Sequence, residues 1–387
     1  MKTFAIVVGI NTYDRGLPLL AGAVADAYSF AEWLLDPTKG GVTPEDLLLW
    51  VEGATGEEEI GPNLLNFLNS DALNQWPSAS GRYRATGLPV RSDDILNAAK
   101  QHIESNDEFL NAQGGAASPP KTQIIVYLAG HGVQVDRAGA VGTKATCYLA
   151  GNFNDEPALA GLLELREFAN FLSTFPFSQV LIIADCCRNQ ALSFSAKYNG
   201  ISYNNNNADS PAALLIAHAA SPGMVAYETA TKPIHGLFTD ALLDTLESPH
   251  LFDLEGLCTA SRIYPVVLES TKQRCRTLTL IDDSSHQVPH FDSEPHLSHP
   301  KEPIFWRVQR PVRQRGRLEF AIAGASPGRV IKLIGPDLAV LDRRQITDTN
   351  ILSFDVDAEH IFALQDEDTN TLLWVGQPTG VTINVTI

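Results

Sequence analysis

Residues 182–189 read IIADCCRN, and residues 127–132 read YLAGHG. Each closes a short run of strand-forming residues, QVLIIAD at 179–185 and QIIVYLA at 123–129. The first run leads to Cys187 and the second to His131. Continuously apolar runs of this length suit strands buried on both faces. In a parallel α/β sheet, side chains at the carboxyl ends of strands face the crevice where ligands bind. Two such ends can bring a Cys and a His together although they are far apart in sequence. A thiol beside an imidazole is a source of thiolate nucleophile near neutral pH. Asp185 stands two residues before Cys187, so the period of two along a strand places both on one face and turns Cys186 the other way, into packing. That alternation selects Cys187 over Cys186. Gly130 and Gly132 flank His131 and permit close backbone approach. A lone free Cys is usually a small buried hydrophobe; two reactive strand ends together point to chemistry.

Working outward, strand-like runs recur at 3–10, 46–51, 123–129, 146–150, 179–185 and 213–218. Helical stripes lie between them. Val24, Ala27, Tyr28, Ala31, Leu34 and Leu35 form one over 22–35. Ser92 caps another carrying Leu96, Ala99 and Ile103; Leu165, Phe168 and Leu172 form a third, and Phe238, Leu242 and Leu246 a fourth. This alternation predicts an α/β fold: a mostly parallel six-stranded sheet with helices on both faces. Residues 53–91, rich in Gly, Glu, Asn, Pro and Ser, read as a flexible insertion with one short helix around Leu64 to Leu68. The stretch 189–212, with four consecutive asparagines, reads as a solvated loop. After about residue 304 helical periodicity disappears and short strands alternate with turn residues, which predicts a small all-β, sandwich-like domain. The domain boundaries expected are 1–305 and 306–387.

Composition narrows the classes. The 387 residues are 44% hydrophobic, which excludes a disordered chain. A net charge of −17 argues against nucleic acid or an anionic membrane as the main partner and suits positively charged peptides. No apolar run is long enough to span a bilayer, and the apolar start reads as a first strand rather than a secretory signal. Five cysteines without scaffold-like spacing read as free thiols, as in a cytoplasm. Four histidines at 286, 290, 296 and 299 have irregular spacing and no accompanying Cys, so they read as a linker rather than a zinc site. Arg307, Arg310, Arg313, Arg315 and Arg317 form a basic run between the two domains. Its readings are a solvated linker docking on the acidic domain, a site of regulatory cleavage, or RNA binding; the overall charge weakens the last.

GHG at 130–132 and DCCRN at 185–189 resemble the caspase-like clan of cysteine peptidases, most closely the metacaspases and their bacterial relatives of the C14 type. IVVGINTY, LLAGAVADA, ASPGMVAYE at 220–228 and GLFTDALL at 236–243 extend the resemblance in the expected order over residues 1–305. It implies a Cys–His dyad. Cys187 would attack the peptide carbonyl, and His131 would take the thiol proton and give it to the leaving amine. The backbone N–H groups of Gly132 and Cys187 would stabilise the oxyanion. No cofactor or metal is implied by that chemistry.

In metacaspases an aspartate stands where Asp185 does and is paired with one from the first helix, here Asp26. Two carboxylates in one pocket favour a basic P1 residue, Arg and then Lys. The competing readings are a solvated Asp26 and an Asp185 salt-bridged to Arg188. Ala23 and Ala129 depart from the pattern, since metacaspases often carry Cys and Ser there. The stretch 133–160 lacks a dense acidic loop, which predicts calcium independence. Lys197, in the loop after the nucleophile, is the candidate processing site of a zymogen. A regulatory protein is the expected partner of the C-terminal domain. Two alternative readings are a catalytically silent caspase-like scaffold and an Asp-directed peptidase.

Overall fold

A computed structural model describes residues 2–13, 17–70, 83–85, 89–104, 122–137, 143–153, 161–175, 177–189, 212–248, 251–252, 256–278, 287–294, 304–307, 315–323, 327–335, 340–347, 351–357, 362–376 and 383–386. The chain divides into two compact units, residues 1–247 with 258–309, and residues 248–257 with 310–387.

The larger unit is organised by a seven-stranded sheet. Its strands are β1 (Lys2–Ile10), β2 (Leu47–Glu52), β3 (Tyr83–Ala85), β4 (Thr122–Ala129), β8 (Gln179–Asp185), β9 (Ala213–His218) and β11 (His290–Glu294), in the order β11-β9-β8-β4-β1-β2-β3. Six of them run parallel, as expected, and β11 adds an antiparallel edge. Every residue of β4 and β8 is buried, which is why these stretches are apolar without alternation.

The membership of the sheet differs from the sequence expectation in two places. The run at 146–150 does not join it. It forms β6 (Lys144–Leu149), the centre of a separate antiparallel sheet with β5 (Gly132–Asp136) and β7 (Leu162–Glu164). Its place is taken by β3, inside the supposed insertion, whose short helix is also present as α2 (Pro62–Leu68). At the other edge, β11 comes from the histidine-rich stretch read as linker. Two further short strands, β10 (Leu257–Thr259) and β12 (Ile304–Arg307), lie on either side of it in sequence.

Helices cover both faces. Phe4, Ile6, Val8 and Ile10 of β1 enter one core with Ile95 and Ala99 of α3 (Ser92–Glu104) and with Phe168 and Leu172 of α4 (Leu165–Leu172). On the opposite face, α1 (Ala23–Leu35) lies so close to β1 that a Cβ on Gly9 would sit 2.5 Å from the Ala23 carbonyl oxygen. Only glycine permits that approach. Helix α5 (Leu237–Leu246) packs against both α1 and α6 (Ala260–Thr277). No helix among the described residues is long and apolar enough to cross a membrane.

The smaller unit is a two-sheet β structure. One sheet is β16 (Ile351–Asp357), β13 (Arg315–Ala323) and β19 (Ile383–Thr386). The other is β15 (Val340–Gln345), β14 (Val330–Ile334), β17 (Phe362–Asp366) and β18 (Leu372–Gly376). Alternate residues of both, including Phe320, Phe354, Ile331 and Leu364, meet in one core, as a sandwich requires.

Candidate active site

The chain lays β2 and β3 on one side of β1, then returns to place β4, β8 and β9 on the other. Strand order therefore reverses between β1 and β4, and the crevice outside the carboxyl ends at such a point is where open α/β sheets bind ligands. The register aligns the two reactive ends: Ala129 of β4 pairs with Asp185 of β8. His131 and Cys187 each follow that pair by two residues. The Gly130 N–H donates to the Asp185 carbonyl at 3.1 Å, extending the pairing one step. A Cβ on Gly130, at φ +153°, would sit 2.5 Å from the Tyr13 hydroxyl, so glycine is required there. A Cβ on Gly132 would lie 2.4 Å from the Cys187 carbonyl oxygen, which is how closely the two turns abut.

His131 is held at three points. Its N–H donates to the Tyr13 hydroxyl at 2.7 Å, its carbonyl accepts from Leu149 at 2.9 Å, and its Nε2 lies 2.7 Å from the Pro18 carbonyl. A carbonyl can only accept, so Nε2 carries the proton and Nδ1 is left as the basic nitrogen. The Tyr13 ring packs against the imidazole, 4.9 Å between centroids. Burial holds this imidazole below its ordinary pKa, against the upward pull of the Pro18 carbonyl and Glu228. Cys187 is half-buried, with Sγ 3.3 Å from the Ala226 N–H, while Cys186 is packed in the core. Burial raises the Cys187 thiol pKa; the Ala226 N–H opposes this and the charges of Asp185 and Glu228 add to it. Both shifts favour the neutral thiol and neutral imidazole at rest.

The two groups line one cleft, enclosing about 390 Å³ of space open to solvent, together with Asp26 and Asp185. Asp26, in the first turn of α1, is buried. It accepts from the Gly236 N–H at 2.8 Å and lies 3.0 Å from His235 Nδ1. Asp185 accepts through Oδ2 from the Thr239 N–H at 3.1 Å and hydroxyl at 2.6 Å. A Cβ on Gly236 would fall 2.4 Å from Asp185 Oδ2 and 2.8 Å from Asp26 Oδ2, so both carboxylates close on one glycine. Burial raises both carboxyl pKa values, and the Asp26 charge raises Asp185 further. The salt-bridge reading of Asp185 does not hold, because Arg188 turns away to Thr146 and the Ala220 carbonyl.

A third carboxylate lines the cleft. Glu228 accepts from the Gly22 N–H at 2.7 Å and from Ala21, capping α1 where its N-cap glycine has no side chain to do so. With Asn11, which accepts from Val24, it fixes the turn that carries Asp26. The described residues lining the cleft include no Lys or Arg. Sequence reasoning quoted the segments containing Tyr13, Glu228, Gly236 and Thr239 but assigned these residues no role, and it passed over Pro18 and His235 entirely. Lys197 lies outside the described residues. No group of three or more His, Cys, Asp or Glu among the described residues is arranged to hold a metal ion.

His131 and Cys187 thus line one crevice at the switch point of an α/β sheet. The caspase-domain family model matches residues 2–295, and the chain belongs to that family of peptidases. A probable protease of a Desulfuromonadales bacterium is 26% identical over 309 residues, which are 76% of this chain and 32% of that protein. The chain thus spans about a third of that relative's length. Two crystal structures are similar at low identity. A protein of Geobacter sulfurreducens (14% identity, TM-score 0.45) aligns over 80% of this chain and 100% of its own. Caspase-1 of Spodoptera frugiperda (13%, 0.44) aligns over 80% and 92%.

Proposed function

We propose that the chain is a cysteine endopeptidase that cuts proteins after Arg, and less readily Lys, through Cys187 and His131. The observation that carries this reading is the single cleft holding a thiol, an imidazole with a free Nδ1 and two buried carboxylates. On this reading the P1 side chain enters between Asp185 and Asp26 and sets the scissile carbonyl over Cys187. As Sγ attacks the carbonyl carbon, the thiol proton passes to His131 Nδ1, so charge develops only with substrate in place. The N–H groups of Gly132 and Cys187 stabilise the oxyanion. Collapse breaks the C–N bond, His131 gives its proton to the departing amine, and a thioester remains. Water, deprotonated by His131, releases the acid and returns the thiol. The steps need no cofactor, and calcium is not expected to stimulate them. The C-terminal unit is the proposed docking element for a regulatory protein or substrate.

Matched fluorogenic peptides ending in Arg, Lys or Asp test this, with intact and proteolytically nicked protein, in EDTA and in calcium. Arg cleavage that vanishes in Cys187→Ala and collapses in Asp185→Ala is the expected result. Asp cleavage would overturn the pocket assignment. Absence of cleavage from every sample would replace the peptidase with a binding scaffold.

A further inference from the structure

Asp26 and Asp185 are not equivalent receptors. Both oxygens of Asp26 are already engaged, Oδ1 with His235 Nδ1 at 3.0 Å and Oδ2 with the Gly236 N–H at 2.8 Å. Asp185 uses only Oδ2, for Thr239, and no described residue bonds its Oδ1. His235 is half-buried at the end of the turn closed by the Glu228–Gly236 bridge, just before α5, and its backbone N–H donates to Thr229 Oγ1 at 3.0 Å, which fixes the approach of the ring to Asp26.

We propose that His235 is a specificity-determining residue of the P1 pocket: it occupies the Asp26 oxygen that a guanidinium would otherwise take, so a P1 cation is received by Asp185 Oδ1 while the charge of the imidazole decides how much of the Asp26 field that cation feels. The inference rests on the reading of this cleft as a receptor for basic side chains. With the imidazole protonated, the Asp26–His235 pair is neutral and the pocket holds one fewer net negative charge. With the imidazole neutral, Asp26 acts at full strength. Cation affinity rises with pH through the His235 titration, and a bound cation makes His235 release its proton more readily. The hydrogen bond to Asp26 raises the His235 pKa above its ordinary value, partly offset by burial. The other charged groups facing it are Asp240 on α5 and Glu59 from the connection before α2. Beyond Gly236 stands Asp185, with Glu228 paired across the bridge to Gly236. Asp26 and Asp185, whose pKa values burial raises, also take up protons as pH falls, in the same direction, so the wild-type slope alone does not separate them from His235.

The separating experiment uses the full-length Cys187→Ala protein and n-butylguanidinium, a mimic of the P1 side chain. Its Kd is measured by calorimetry at about pH 5.5 and 8, with and without His235→Gln, which keeps a hydrogen-bond donor for Asp26 but carries no charge. Asp26 and Asp185 titrate in both proteins. Affinity should fall on acidification about tenfold more in the histidine protein than in the glutamine variant, the factor equivalent to a one-unit shift of the His235 titration. Selective ¹⁵N-histidine spectra of the protein without the His235 substitution give a second readout. The His235 titration should move down by about one pH unit on saturation with the guanidinium. Equal pH dependence in both proteins, or a His235 titration unmoved at saturation, overturns the role of His235 and leaves the basic pocket standing. No binding of the probe at either pH overturns the pocket reading and this inference together.

Discussion

At Cys187 and His131 the surroundings push both groups away from a resting ion pair, the thiol upward and the imidazole downward, chiefly by burial. On the proposed reading the pair is a neutral dyad whose proton moves only during attack. Iodoacetamide alkylation of Cys187, followed by peptide mass spectrometry, should accelerate continuously up to about pH 9, and a plateau between about pH 6 and 8 would reveal a preformed thiolate–imidazolium pair instead. Choosing Cys187 over Cys186 required only the period of two along a strand, and the core position of Cys186 agrees with it. Asp185 was legible by the same rule. His235 was not. It stands far from Asp26 in the chain, and a single His beside Gly236 carries no local signal of the carboxylate it meets.

At the scale of elements, the N-terminus of α1 is the device that presents Asp26. Gly22 has no capping side chain, and Glu228 supplies the acceptor from a segment remote in sequence, where a carboxylate also interacts favourably with the helix dipole. Glu228→Ala is expected to cost about 0.5–2 kcal/mol in urea denaturation, the range for a lost N-cap. Because the turn carrying Asp26 loosens, KM for Arg peptides should rise more than kcat falls. An unchanged KM would show that Asn11 alone holds the turn. Periodicity located α1, α3, α4 and α5, but it overlooked α6. Along α6 the buried positions Ile263, Val267, Thr271 and Cys275 fall at every fourth residue, yet two of the four are weakly apolar and Pro265 interrupts the run. Strand β6 was legible as a strand but not as a member of the smaller sheet, since an apolar run reads alike in either setting.

Across the whole molecule, two units hold separate cores, and the described residues lining the cleft belong to the larger one. Phe320, fully buried in the smaller unit, packs edge-on against Phe354 and Trp374. Phe320→Ala should destabilise that unit by about 3–5 kcal/mol, seen as a lowered thermal transition. Hydrolysis of short peptides by the folded protein should stay within about twofold, as for sites that share no core. Loss of peptide hydrolysis at a temperature where the larger unit remains folded would show that the smaller unit supports the cleft. The sequence by itself determined the strand runs, most of the helices, the all-β character of the C-terminal stretch and which of the two adjacent cysteines turns into the core. These follow from local periodicity, which the chain carries residue by residue. Only the tertiary structure decided that β3 and β11 complete the main sheet, that Ala129 pairs with Asp185, that His235 meets Asp26 and that Glu228 caps α1 beside the cleft. Those are pairings between distant segments, set by which surfaces can be buried together, and no window of the sequence contains both partners.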